Sequence, residues 1–96
     1  MFKGTEEEEV VIQFDAWAAD LTRGRRWHAS QEFTELPQGA LRLRLRLNSL
    51  EEVERWVLSW GTHAIVIQPQ QLADRIQSTA AKLAGQYLQA SQVAPP

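Results

Sequence analysis

A chain of 96 residues with a formal net charge of −2 has material for one small domain and not for two. It is no polycation, so any nucleic-acid role must come from local charge, and without cysteine it has neither disulfides nor thiolate metal ligands. No apolar run approaches the roughly 20 residues that span a bilayer, and no apolar stretch of a signal peptide follows Met1-Phe-Lys-Gly-Thr5, so a cytoplasmic protein with no membrane contact is expected.

Acids and bases are segregated along the chain. Glu6 to Glu9 form an acidic run, which makes residues 1–8 a solvated tail or the remnant of a linker. The folded domain is expected over residues 9–90. Seven of the ten basic residues lie between Arg23 and Arg55.

Glu9 to Phe14 reads as a strand with Val10, Ile12 and Phe14 on one face. Asp15 is placed to cap a short helix from Ala16 to about Thr22, whose buried side would carry Trp17 and Leu21, four residues apart. Gly24 would end it. Ser30 to Leu36 is the second strand. Pro37 and Gly39 are turn residues, and Ala40 to Leu47 returns as the third strand. Pairing Leu36 with Ala40 sets Thr34 opposite Arg42, Phe33 opposite Leu43 and Glu32 opposite Arg44.

Ser49 and Glu52 have the spacing of a capping box. Leu50, Val53, Trp56, Val57 and Trp60 then recur as one apolar helical stripe, closed by Gly61. Glu51, Glu52, Glu54 and Arg55 fall on that helix's solvated face. His63 to Ile67 is a fourth strand. Pro69 opens a last helix, about 69–90, with Leu72, Ile76, Ala80, Leu83 and Tyr87 on one side; residues 91–96 should fray.

The order β-α-β-β-α-β plus a C-terminal helix predicts an α+β, ferredoxin-like fold. One four-stranded sheet, with antiparallel and parallel strands, has helices on one face and leaves the other open. Leu41, Leu43, Leu45 and Leu47 of the alternating LRLRLRL run would face the helices, and Arg42, Arg44 and Arg46 the open side. Those arginines either keep the open face soluble, with a Glu32–Arg44 pair, or dock an acidic partner or phosphate backbone through their forked guanidiniums. The open positions of the two central strands offer Val11, Gln13 and arginines, so the aromatic platform on which such sheets stack RNA bases is missing.

The second dense stretch is Arg23-Gly-Arg-Arg-Trp-His-Ala-Ser-Gln31, between the first helix and second strand. Arg23, Arg25, Arg26 and His28 are the candidate ligand or nucleic-acid contacts, while Trp27 is expected to plug the edge of the core. Catalysis is not expected: no serine stands in a defensible His–acid pattern, and no glycine-rich phosphate loop follows the first strand. His28 and His63 are thirty-five positions apart along the chain and read as structural, so no metal or other cofactor is called for.

Arg25-Arg-Trp-His28 with Ser30-Gln31, Trp56 to Gly61, His63-Ala64 and Pro69, in this order and spacing, resemble the C-terminal extension (WCX) of bacterial WYL-domain transcription regulators. The resemblance covers roughly residues 10 to 88. Ala29 departs from it, since the family usually has proline there. It implies a ligand-sensing, dimer-associated module of a DNA-binding regulator. The expected partners are a winged helix-turn-helix and a WYL domain in the same full-length chain, and a second copy in a homodimer. It also implies an anionic effector, such as single-stranded nucleic acid, held in part by basic residues of the extension. Without the helix-turn-helix, this chain would be a C-terminal fragment that does not bind promoter DNA specifically.

Overall fold

The computed structural model describes residues 7–92. The elements are β1 (Glu8–Phe14), α1 (Ala16–Thr22), β2 (Glu32–Glu35), β3 (Leu41–Leu47), α2 (Leu50–Leu58), β4 (Ala64–Gln68) and α3 (Gln70–Gln92), with short 3-10 turns at Pro37–Gly39 and Gly61–His63. The fold is α+β, with one four-stranded sheet in the order β2-β3-β1-β4. Every neighbouring pair is antiparallel, which corrects the mixed sheet expected above. The connection through α1 carries the chain past β3, so β1 and β2 are not neighbours.

Alternation along the strands sets the layers. Val10, Ile12 and Phe14 of β1 face Leu45, Leu43 and Leu41 of β3 across the ladder, and all six are buried. Each such side chain contributes about 1.5–3 kcal/mol by leaving water. Val53 and Val57 of α2, Val66 of β4 and Leu72 of α3 join them in one cluster. The β2–β3 register is the expected one, with Thr34 opposite Arg42, Phe33 opposite Leu43 and Glu32 opposite Arg44. At its turn Gly39 has φ +82°, and a Cβ there would come 3.2 Å from the Ala16 Cβ. Gln38 also takes a positive φ, 64°.

Several local expectations are corrected. The buried side of α1 is Ala18, Ala19 and Thr22; Trp17 and Leu21 are 57% and 42% exposed. Small side chains let this short helix lie close to the sheet. Thr22 is accommodated there because its hydroxyl bonds the Ala18 and Ala19 carbonyls at 3.1 and 3.2 Å. The Asp15 cap is as expected, accepting from the Ala18 N–H at 3.0 Å. Ser49 makes no side-chain cap bond, since its ψ of 75° departs from the extended conformation that aims a cap oxygen at the first turn. α2 stops at Leu58, and Gly61, φ +64°, still turns the chain. Glu54 is half-buried, and its carboxylate lies 2.9 Å from Arg75 of α3 instead of standing in solvent.

β2 begins at Glu32, not Ser30: the Gln31 side chain is engaged in the preceding loop, and Ser30 meets β3 through its hydroxyl, which accepts from the Arg46 N–H. Likewise β4 begins at Ala64, after His63 has been used in its turn. In α3, Leu72 is buried and Ile76 packs on the core, but Ala80, Leu83 and Tyr87 are exposed. The helix runs on through Gln92, past the expected end near residue 90. Residues 93–96 lie outside the described residues, as does most of the expected acidic tail. Its last member, Glu8, opens β1.

Candidate nucleic-acid interface

The loop from Arg23 to Gln31 is organised by its own polar side chains. Gln31 Oε1 accepts from the backbone N–H groups of Trp27 and His28, the latter at 3.0 Å, and its Nε2 donates to the Arg25 carbonyl at 2.8 Å. One side chain thus satisfies three backbone groups that a loop would otherwise leave to water. The Ser30 hydroxyl substitutes for a strand residue: it accepts from the Arg46 N–H at 2.8 Å and lies 3.2 Å from the Arg46 carbonyl. Ser30 also meets His28, with its N–H donating to Nδ1 at 3.1 Å. The Ser30 hydroxyl lies 2.8 Å from the same nitrogen. The loop is therefore stitched to β3 at Arg46.

Trp27 anchors the loop from below, as expected. Its ring packs 4.9 Å from that of Trp56, and its Nε1 donates to the Thr22 carbonyl at 3.3 Å. Trp56 in turn meets Trp60, and Trp60 meets Trp17, at 6.1 and 6.4 Å, so four tryptophans form a row between α1, α2 and the loop.

The three loop arginines differ in their surroundings. Arg23 is neutralised: Nε and Nη2 grip both oxygens of Glu35 at 2.8 and 3.0 Å, and Nη1 reaches Asp20 at 2.9 Å. The Glu35 carboxyl is held below its ordinary value by the Arg23 hydrogen bonds, and Arg23 is raised by the same contact. Arg25 and Arg26 are exposed, and among the described residues their guanidiniums have no partner. They border an open depression of about 420 Å3 together with Gly24, Ala29, Gln31 and Phe33. On the other side of Trp27 and His28 lies a more apolar hollow of about 260 Å3, closed by Leu47, Glu52 and Trp56.

On the open face of the sheet Arg44 bridges Glu32 and Glu9 at 3.0 and 3.2 Å. The Glu32 pair was legible from the register; Glu9 comes from β1. Arg42 reaches only Gln13, at 3.4 Å, and the Arg46 guanidinium has no partner among the described residues. Ile65 and Ile67 are exposed on β4, with β1 between them and the arginines.

A cluster missed by sequence reasoning joins the end of β1 to the start of β4. Asp15 Oδ2 lies 2.7 Å from His63 Nδ1, and Trp17 stacks on His63 with ring centroids 4.4 Å apart. The Asp15 carboxyl sits below its ordinary value, first through the Ala18 N–H and then through His63. The capping signal at Asp15 was visible, but nothing local points to a partner 48 residues away. His28 and His63 thus serve two separate clusters. Among the described residues no helix is long and apolar enough to cross a membrane.

No curated protein matches the chain. The family model of the WCX domain matches residues 6–84, which takes in the loop, all four strands and the first part of α3.

Proposed function

The chain belongs to the WCX-domain family, which associates it with WYL-type regulators, and on that premise we propose that it is a non-catalytic, effector-sensing module. In this reading Arg25 and Arg26 receive an anionic ligand of nucleic-acid or nucleotide type, with the His28 imidazole as a neighbouring polar group. Arg23 serves as a strut, since its charge is already met by Glu35 and Asp20. The winged helix-turn-helix and WYL domain of a full-length regulator would carry DNA binding and share the effector.

The observation that carries this reading is two exposed, unpaired guanidiniums on a loop whose backbone is held by Gln31. Such donors need little reorganisation to grip phosphate oxygens bidentately. A second reading, a packing module with no ligand contact, is favoured by the open sheet face, where Ile65 and Ile67 are exposed and Arg44 is already paired.

Salt separates the two. A labelled single-stranded oligonucleotide is titrated with the chain, and with Arg25→Ala/Arg26→Ala, between about 50 and 200 mM salt. Phosphate contacts predict binding that falls steeply with salt. Removing two of them should flatten the log–log slope by about 1.4, at roughly 0.7 per single-strand contact. No binding by the parent chain, or equal binding by the variant, would overturn the proposal.

A further inference from the structure

We propose that the hollow behind Trp27 and His28 is a nucleobase subsite selective for guanine, with the Glu52 carboxylate as the group that reads the base. The proposal rests on the reading of Arg25 and Arg26 as phosphate contacts, and adds what receives the other end of the nucleotide.

The hollow has a volume of about 260 Å3, below the roughly 300 Å3 at which pockets for drug-sized ligands begin. That suits one base and not a folded segment. Its floor is apolar, since Leu45 and Val53 are buried. Trp27 and Trp56 are half-buried and line it, with ring centroids 4.9 Å apart. Aromatic side chains hold bases by stacking, a contact open to every base. The platform missing from the open sheet face thus has a counterpart at the edge of the domain. His28 lines the same space, with Nδ1 engaged by the Ser30 N–H and hydroxyl at 3.1 and 2.8 Å. Gln31 holds the backbone of both Trp27 and His28, so this wall is arranged before any ligand arrives.

The hollow adjoins the free arginines. Arg26 directly precedes Trp27, so a phosphate contact and an aromatic wall are carried by successive residues, about 3.8 Å apart at Cα. A nucleotide joins its phosphate to its base through one sugar, which matches so short a separation.

Glu52 gives the hollow its selectivity. It lies one turn before Trp56 on α2, on the same side of the helix. The capping box that would turn this glutamate back to the helix start is not made, since the Ser49 side chain caps nothing. Among the described residues the Glu52 carboxylate has no hydrogen bond or ion pair. Both its oxygens can only accept. A carboxylate here repels a phosphate chain unless the ligand brings donors to meet it. Guanine presents two adjacent donors on its Watson–Crick edge, N1–H and the N2 amino group, which fit the two carboxylate oxygens. Adenine and cytosine set a ring-nitrogen acceptor beside their amino group. Thymine flanks its N–H with two carbonyls. Each of these three would turn a lone pair toward Glu52.

A short oligothymidylate is titrated with the chain at one salt concentration, its central base left as thymine or replaced by guanine, adenine or cytosine. We expect the guanine strand to bind at least about fivefold more tightly than the other three. Glu52→Ala should abolish that preference by acting in opposite directions: guanine binding falls, while the other strands hold or gain as a like charge leaves. A merely electrostatic role would move all four together. In indole NMR spectra of the labelled chain, the guanine strand should shift Trp27 and Trp56 and leave Trp17, which packs on His63, in place. If all four strands bind alike, with a salt dependence set by Arg25 and Arg26, the guanine subsite is refuted and the phosphate reading stands. If none binds, both fall. Preference for another base, a guanine preference that survives Glu52→Ala, or indole shifts confined to Trp17 would overturn the subsite alone.

Discussion

Replacing Gln31 by alanine removes three hydrogen bonds at once, two accepted from Trp27 and His28 and one given to Arg25. A single intramolecular hydrogen bond contributes about 0.5–1.5 kcal/mol net. The side chain is only half-buried, so water recovers part of each bond, and a total near 2 kcal/mol is the expectation rather than the sum of the upper values. The loss should be local. Trp27 still has its ring contact with Trp56, and Ser30 still holds Arg46. Amide hydrogen exchange measures this directly: the Trp27 and His28 amides should lose protection about thirtyfold, the equivalent of 2 kcal/mol. Amides in the centre of β1 and β3 should keep theirs. If the two loop amides stay protected in the variant, Gln31 does not organise the loop, and the argument for prearranged arginines fails with it.

Two further outcomes test the frame around the loop. Leu43→Asp forfeits about 1.5–3 kcal/mol of burial and places a carboxylate in the core at a cost of several more. Against a total stability of about 5–15 kcal/mol the domain should lose its cooperative melt by circular dichroism, and a native-like curve would mean that the leucines do not face inward. Asp15 has a folded-state value below the ordinary one. Its contribution is therefore complete above the ordinary carboxylate range and is lost as pH falls through the depressed value. Carboxyl NMR titration of His63→Ala should show Asp15 moving part of the way back up, with the Ala18 N–H bond still holding it down; no movement would remove His63 as a cause.

What could be read in advance was whatever a strict local period controls. Leu41 to Leu47 alternate, one face is buried, and a Pro-Gln-Gly turn sets the partner, so both register and the Glu32–Arg44 pair followed. α1 resisted the same treatment because seven residues give barely two turns. Side-chain size suggested Trp17 and Leu21 as the inner face, whereas closeness to the sheet selected alanines. The basic loop was visible as charge, but its division into one neutralised and two free arginines depends on Glu35 and Asp20 being brought near Arg23 by the fold. Gln31 and Ser30 act through side-chain bonds to backbone groups, which carry no signature in spacing. Heptad-like recurrence in α3 was legible too, but not where the domain would end beneath it.

The sheet order also bears on how the domain comes to be made. Of the four strands β1 is made first yet occupies an interior position, and its two neighbours are β3 and β4. Its antiparallel partner in β4 reaches to Gln68, so the sheet cannot be completed until the chain has been synthesised through that residue. Until then the apolar edge of β1 has no native neighbour on that side. Pairings this distant in sequence delay folding by their loop-closure entropy, and they leave a nascent strand open to wrong partners. Glu8 and Glu9, the first two residues of β1, place like charge at the head of that waiting strand, where it discourages a second nascent copy from pairing with it.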